Sequence, residues 1–377
     1  MNTRDRPASA FTMRSRPEDF VVIEEPLYPA SGEGKHTFTL VEKRGRTTEQ
    51  VARELARAAN VAARDVGYAG RKDRHAVTQQ WFSLPDVDPA RAMDFVLEGA
   101  RVLDARRHGN KLRTGHLRAN CFEIALRGEA PLDLDAIEQR VAELLRRGMP
   151  NRYGDQRFGR EGDNAVRARR MLAGESGPRD RRAARFLISA LQSEVFNAVL
   201  AERIDAHDRV ELGDLARVEE SGGLFWVDDL ERDLARAADF EISATGPIFG
   251  RKMRRPSGAV AELEQRVYDR FGLPPLGELS LPRGVRALGT RRPLRVRPRD
   301  LEVEPLLSAA ARPATGGLRV RCTLPPGAYV TVLLEELVGP VRDASHARGS
   351  TDTGETARVS SVESGMRPEN ETENPSG

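Results

Sequence analysis

Large apolar side chains recur along this chain with two periods, near two and near 3.6, and each period predicts its own kind of element. Phe20–Val21–Val22–Ile23–Glu24 predicts a short strand closed by Pro26. His36–Thr37–Phe38–Thr39–Leu40–Val41 predicts a second, with large side chains alternating. Thr47 and Gln50 have capping-box spacing ahead of a helix whose Val51, Ala52, Leu55, Ala58 and Ala59 share a face. Ala76 to Leu84 again reads as strand, so Arg71–Lys72–Asp73–Arg74 falls in a tight connection after the glycine-bounded Gly67–Tyr68–Ala69–Gly70. Helical spacing returns over Leu132–Arg147, Asn164–Met171 and from Arg182 onward, where Phe186, Leu187, Ala190, Leu191, Val195, Phe196 and Val199 line one face. Leu318–Thr323 predicts a late strand, and Tyr329–Leu337 fits strand or helix. Strands and helices interleave without a regular βαβ repeat, which predicts an α+β fold.

At 377 residues the chain exceeds what one core supports, and two domains are expected. Turns at Gly246–Pro247, Pro274–Pro275 and Pro282 punctuate a region that reads as an insertion. The expected division is 1–174 for the first part of one domain, 175–296 for the insert and 297–338 for the last part. Residues 339–377 are rich in Ser, Thr, Gly, Pro and Glu and almost free of aromatics, so a disordered tail is expected there. Charge is nearly balanced, 60 Lys+Arg against 57 Asp+Glu. The tail holds four arginines against seven acids, which leaves the body mildly basic and compatible with a polyanion partner.

Candidate chemistry is narrowed first by exclusion. Cys121 and Cys322 lie far apart with no His or Cys at ligand spacing, which argues against a disulfide scaffold or a zinc site and fits a reducing compartment. Met1–Arg16 is polar and no apolar run is long enough to span a bilayer, so a soluble cytoplasmic protein is expected. Ser31–Gly32–Glu33–Gly34–Lys35–His36 lacks the glycine and hydroxyl positions of a phosphate loop and reads as a solvated turn. Only five basic residues are lysine: Lys35, Lys43, Lys72, Lys111 and Lys252. An ammonium is a compact point charge that guanidinium replaces poorly, so these five draw attention.

Asp73 sits between Lys72 and Arg74. Cations within about 4–6 Å would favour its carboxylate form, and an ionised Asp in a strand-to-strand turn could act as nucleophile or base. The ordinary alternative is a turn aspartate with surface ion pairs, and local chemistry alone favours it. Asn151–Arg152–Tyr153–Gly154–Asp155–Gln156–Arg157–Phe158–Gly159–Arg160 interleaves arginines with aromatics. Arginines such as Arg157 can grip phosphates while rings offer stacking planes for unpaired bases. A loop with core-anchoring aromatics is the alternative.

Taken together, these segments resemble the TruD family of tRNA pseudouridine synthases over nearly all of residues 18–338. The resemblance rests on Asp19–Phe20–Val21–Val22, the Ser31–His36 turn, Glu42–Lys43–Arg44–Gly45, and Gly67–Tyr68–Ala69–Gly70–Arg71–Lys72–Asp73–Arg74–His75–Ala76–Val77–Thr78–Gln79–Gln80. It continues through Asn110–Lys111–Leu112–Arg113, Asn151 to Asn164, Thr245–Gly246–Pro247 and Leu324–Pro325–Pro326–Gly327. Each is weak alone; in this order and number they are specific.

The resemblance implies isomerisation of uridine in tRNA, at position 13 of the D-arm for bacterial members. It implies no metal and no organic cofactor; no membrane contact and no obligate protein partner are inferred. The implied fold is the pseudouridine-synthase catalytic domain, with a mixed, largely antiparallel sheet interrupted by the family's inserted α/β domain. Asp73 takes the place of the catalytic aspartate. Phe20 and Asn151 match substrate-contacting positions, Tyr153 would carry the target base, and Lys72, Arg74 and Arg157 would supply charge. One departure is Cys322, where many members have an aromatic; either a neighbour supplies that contact or the pocket is looser. Two rival functions remain open: a non-catalytic tRNA-binding protein on the same scaffold, and a nucleoside or glycoside hydrolase. The hydrolase would need a second carboxylate near Asp73.

Overall fold

The period-two segments become strands of one ten-stranded sheet in the computed structural model, which describes residues 11–128, 132–159, 161–175, 177–282, 284–306 and 316–345. The first third of the chain supplies β1 (Phe11–Met13), β2 (Phe20–Pro26), β3 (His36–Arg44), β4 (Gly67–Tyr68), β5 (Val77–Pro85), β6 (Ala100–His108) and β7 (Leu117–Gly128). The end supplies β14 (Arg299–Leu306), β15 (Gly317–Leu324) and β16 (Arg342–Asp343). The sheet runs β14-β15-β7-β2-β5-β3-β6, with β4 beside β5 and β1 bridging β7 and β16. Among the described residues only the β2–β5 and β1–β16 pairs are parallel, giving the mixed, largely antiparallel sheet expected.

Helices cover this sheet in two patches. α1 (Thr48–Ala59) starts at the foreseen box: Thr47 Oγ1 accepts from the Gln50 N–H, and the Gln50 side chain accepts from the Thr47 N–H. Its Val51 and Leu55 pack with Val41, Phe82 and Leu84, and the short α2 (Pro89–Met93) closes the edge through Ala92. On the other half, α3 (Leu134–Arg147) and α8 (Val330–Val338) bury Ile137, Leu144, Leu333 and Leu337 against Phe20, Ile124, Leu126 and Val320. The Tyr329–Leu337 ambiguity thus resolves as helix. Val330, Leu333, Leu334 and Leu337 recur at helical spacing and all are buried, an arrangement that a strand of period two would split across two faces.

The insert has its own four-stranded antiparallel sheet. β9 (Leu215–Val218), β10 (Leu224–Trp226), β11 (Ile242–Ile248) and β12 (Thr290–Pro293) run in the order β10-β9-β11-β12. Around it pack α5 (Arg181–Glu202), α6 (Leu230–Ala238) and α7 (Gly258–Asp269). A division at 175 separates α4 (Asn164–Leu172) from α5, yet Ala165, Ala168 and Met171 of α4 share one core with Leu187, Ile188 and Leu191 of α5. The stretch Gly174–Glu175–Ser176–Gly177–Pro178 interrupts the helical spacing in the sequence but carries no sign that the two helices fold back on each other. The chain leaves the insert through β12 and at once forms β13 (Arg295–Val296), which pairs with β8 (Met149–Pro150).

The expectation for the tail needs a correction at its start. Arg342–Asp343 pairs with Thr12–Met13 as a strand, so chain order extends past residue 339 to Ser345. Composition missed this because a two-residue strand carries no period. The remainder, 346–377, lies outside the described residues. Among the described residues no helix is long and apolar enough to cross a membrane.

Candidate active site

Asp73 lies in the turn between β4 and β5, and three elements suspend that turn. The Lys72 backbone N–H donates to Thr48 Oγ1 on α1 at 2.9 Å, and Thr48 Oγ1 donates to Gln80 Oε1 on β5 at 2.9 Å. The Gln80 amide donates to the Gly70 carbonyl, and Lys43 Nζ on β3 donates to the Asp73 carbonyl at 2.9 Å. From outside, the loop of Asn110–Gly115 braces the turn: the Gly115 N–H donates to the Ala69 carbonyl, and Leu112 is buried. A Cβ on Gly67 would lie 2.3 Å from the Leu112 carbonyl oxygen, so the glycine is what lets the two segments touch. Lys111, a candidate cation, donates to the Arg64 carbonyl as part of the same brace.

The Asp73 carboxylate is three-quarters buried. One oxygen accepts from the His75 N–H at 2.9 Å, and the other lies 3.0 Å from the Arg14 guanidinium. Arg14 is thus the cation facing Asp73, in place of the sequence neighbours. Lys72 turns under the sheet to Glu24 Oε2 at 2.6 Å, and the exposed Arg74 donates to the Gly45 carbonyl at 3.2 Å. In a tight turn successive side chains diverge, so adjacency in sequence did not become adjacency in space. Burial pushes the Glu24 carboxyl up, against the opposing pull of Lys72.

Arg14 is 3% exposed, follows β1 with φ of +57°, and binds both Asp73 and Asp343. A left-handed backbone at a non-glycine residue costs about 1–2 kcal/mol and persists where surroundings over-determine it. Its guanidinium also lies 3.9 Å from the centroid of Phe20, at the start of β2. Sequence reasoning missed Arg14 because it sits in a polar stretch with no period. Phe122 meets Phe20 edge-on at 6.2 Å, and its cross-strand partner is Cys322. A neighbouring strand therefore places an aromatic ring beside the position where Cys322 lacks one. Cys322 is buried, and burial pushes its thiol up to about 12, consistent with a packing role.

Asn151, Tyr153 and Arg157 form a second group, assembled by Arg292 of β12. Asn151 donates to the Pro293 carbonyl at 2.9 Å, while its own carbonyl and side-chain oxygens accept from Arg292. Tyr153 exchanges hydrogen bonds with Asn197 through its backbone, so its ring is fixed from behind. The ring is edge-on to Phe196 and Tyr329, and Arg292 stacks on it at 4.1 Å. Arg157 lies 5.5 Å from the same ring, with its guanidinium donating to Ser193 and Ser189. Burial lowers the pKa of Arg292, against the pull of Tyr153 and Tyr329. Like Arg14, Arg292 gave no signal in sequence, because its partners lie some 140 residues away.

The structure thus joins Phe20 to Asp73 through Arg14, and Asn151 to Tyr153 through Arg292 with Arg157 beside the same ring, while Lys72 goes to Glu24 and Arg74 reaches the Gly45 carbonyl. Both groups border one core, in which Phe20, Ala76 and Met149 pack with Tyr329.

This architecture, a mixed sheet carrying an aspartate turn and interrupted by an inserted domain, is that of the pseudouridine synthases. A solved structure from Methanosarcina mazei, described as a putative tRNA pseudouridine synthase D, matches the fold with a TM-score of 0.72 at 21% identity, covering 90% of this chain and 95% of that one. The model of the family described as tRNA pseudouridine synthase D (TruD) matches residues 2–176 and 180–337. Relatives bearing the name tRNA pseudouridine synthase D are 42% identical in Anaeromyxobacter sp. strain Fw109-5, over 89% of this chain and 95% of that protein, and 40% identical in Thermus thermophilus, over 89% and 91%. The chain belongs to the tRNA pseudouridine synthase D family.

Proposed function

We propose that this protein isomerises uridine to pseudouridine in tRNA, at position 13 of the D-arm, with Asp73 as the catalytic residue. The observation that carries the reading is the Asp73 carboxylate, three-quarters buried in a braced turn and faced by the Arg14 guanidinium at 3.0 Å. The reaction breaks the N1–C1′ bond, turns the uracil, joins C5 to C1′ and moves the C5 proton to solvent while N1 gains one. Nothing is hydrolysed, so the freed ring must stay trapped and water must be kept out. A carboxylate serves either as a nucleophile toward the substrate or as the base that takes a ribose proton; in both, the ion pair with Arg14 would hold it in place.

The target base must leave its stack, which costs a few kcal/mol. Stacking on an aromatic plane returns about 1–3 kcal/mol per base. Tyr153 is the ring suited to this, since Asn197 fixes its backbone and Arg292 and Arg157 lie against the ring. Phe20 is buried and acts through Arg14, and Asn151 anchors Arg292. Among the described residues, the carboxylate nearest this function in contact terms is Asp343, which shares Arg14 with Asp73. It is the carboxylate that a hydrolase would have to recruit, and the identity of the product separates the two readings.

The test is release of label from tRNA carrying C5-tritiated uridine, with carbodiimide mapping of the modified position. Asp73→Asn is expected to keep its fold and tRNA affinity and to release no tritium. Wild-type-like turnover by that variant would remove Asp73 from the mechanism. Free uracil as product would favour the hydrolase, and binding without tritium release by the unaltered protein would favour the non-catalytic reading.

A further inference from the structure

Lys43 sits near the C-terminal end of β3 with only 1% of its surface exposed, an unusual place for a lysine. Its backbone pairs across the sheet with Thr78 and Ala100. Its ammonium makes no ion pair within salt-bridge distance among the described residues; instead it donates to two backbone carbonyls, Asp73 at 2.9 Å and Arg46 at 2.8 Å. One acceptor belongs to the proposed catalytic residue itself. The other lies in the loop just before the Thr47 cap of α1, and α1 supplies the Thr48 hydroxyl that holds the Lys72 N–H. The suspended turn and the loop leading into its supporting helix therefore converge on a single nitrogen.

Burying an ammonium costs several kcal/mol unless its protons are matched. Where two carbonyls match them, the geometry of both segments is tied to the presence of the charge. From these contacts we infer that Lys43 is a positioning residue for the isomerisation, its ammonium fixing the backbone of Asp73 so that the carboxylate meets the substrate in one orientation. This rests on the assignment of Asp73 above. The charged groups around Lys43 are Asp73 and Lys72 from the turn and Glu49 from α1. Burial pushes the ammonium down from 10.5 to about 8, Lys72 adds to that, and the Asp73 and Glu49 carboxylates oppose it. The neutral amine keeps two N–H groups but loses charge-assisted bonding and its positive potential at Asp73. The rate of the chemical step should therefore decline through the mildly alkaline range.

The experiment measures the single-turnover rate of tritium release and the tRNA Kd, from pH 6.5 to 9.5, for the full-length protein, Lys43→Met and Lys43→Arg. Methionine fills the volume without a donor; arginine keeps charge and donors across the whole range. The expected result is a fall of about tenfold or more in rate for Lys43→Met, with Kd changed less than about threefold. The wild-type alkaline decline should be absent in Lys43→Met and displaced upward in Lys43→Arg. A Lys43→Met protein that melts earlier yet turns over at the wild-type rate when folded would overturn the inference, as would a wild-type rate flat to pH 9.5. The second of these needs no variant, so a misfolded substitution leaves the proposal exposed to failure. Absence of tritium release by the unaltered protein would instead defeat the assignment of Asp73, and the inference with it.

Discussion

At the scale of single residues, the site is a set of charges each held by a partner distant in sequence. Asp73 meets Arg14, Lys72 meets Glu24, and Asn151 meets Arg292. Arg14 is the most exposed to test, because it binds Asp73 and Asp343 together and stacks on Phe20. Arg14→Gln removes the charge but not the volume. It should slow tritium release by about ten- to a hundredfold, the equivalent of one charge-assisted hydrogen bond, with tRNA affinity nearly unchanged. Arg14→Lys should recover only part of that rate, since one ammonium lacks the planar fork that spans two carboxylates. Equal rates for both variants and the wild type would leave the ion pair without a catalytic part. The motif that singles out Asp73 was legible in the sequence; which cation faces it was not, because turn geometry sends Lys72 to Glu24 and Arg74 to the Gly45 carbonyl.

At the scale of elements, β12 and the Asn151–Phe158 segment act together. Arg292 reaches from one to the other and closes on the Gly327 carbonyl ahead of α8, so three connections separated by long stretches of chain share one guanidinium. Arg157 belongs to this assembly as well. A phosphate contact was the sequence expectation for it, and such a contact would make tRNA binding fall less steeply with salt when the arginine is removed. Its hydrogen bonds to Ser193 and Ser189 and its place beside Tyr153 and Phe186 give a different expectation. Arg157→Ala should leave the slope of log Kd against log salt unchanged and slow the chemical step. A slope shallower by about one unit in a salt titration would restore the phosphate role.

At the scale of the whole molecule, the question is how an insert is held to the sheet that it interrupts. Arg295 is one tie. It is 2% exposed, stacks on Phe240 at 3.7 Å, and donates to Ser243 and to the carbonyls of Ala237, Ile242 and Arg147. Ala237, Ile242 and Ser243 belong to the insert, whereas Arg147 ends α3 beneath the main sheet. Burial pushes the Arg295 guanidinium down to about 10, which leaves it charged at neutral pH. Arg295→Met would strand several buried acceptors and should lower unfolding stability by about 3 kcal/mol or more, read from the denaturant midpoint. A shift under about 0.5 kcal/mol would mean the two bodies are held by apolar packing alone.

Local order along the chain was enough to reveal several of the elements and to single out the turn that carries Asp73. Alternation and helical spacing depend on neighbours within a few residues, so β2, β3, β5, α1, α3 and α5 were readable from it. The Gly67–Gln80 signature likewise lies in one contiguous stretch. The partners emerged only on folding: Arg14 for Asp73, Arg292 for Asn151 and Tyr153, α4 folded onto α5, and a two-residue strand near the C-terminus latched to β1. The physical reason is range. A hydrogen bond or an ion pair acts over about 3–4 Å in space and leaves no mark on the spacing of residues along the chain.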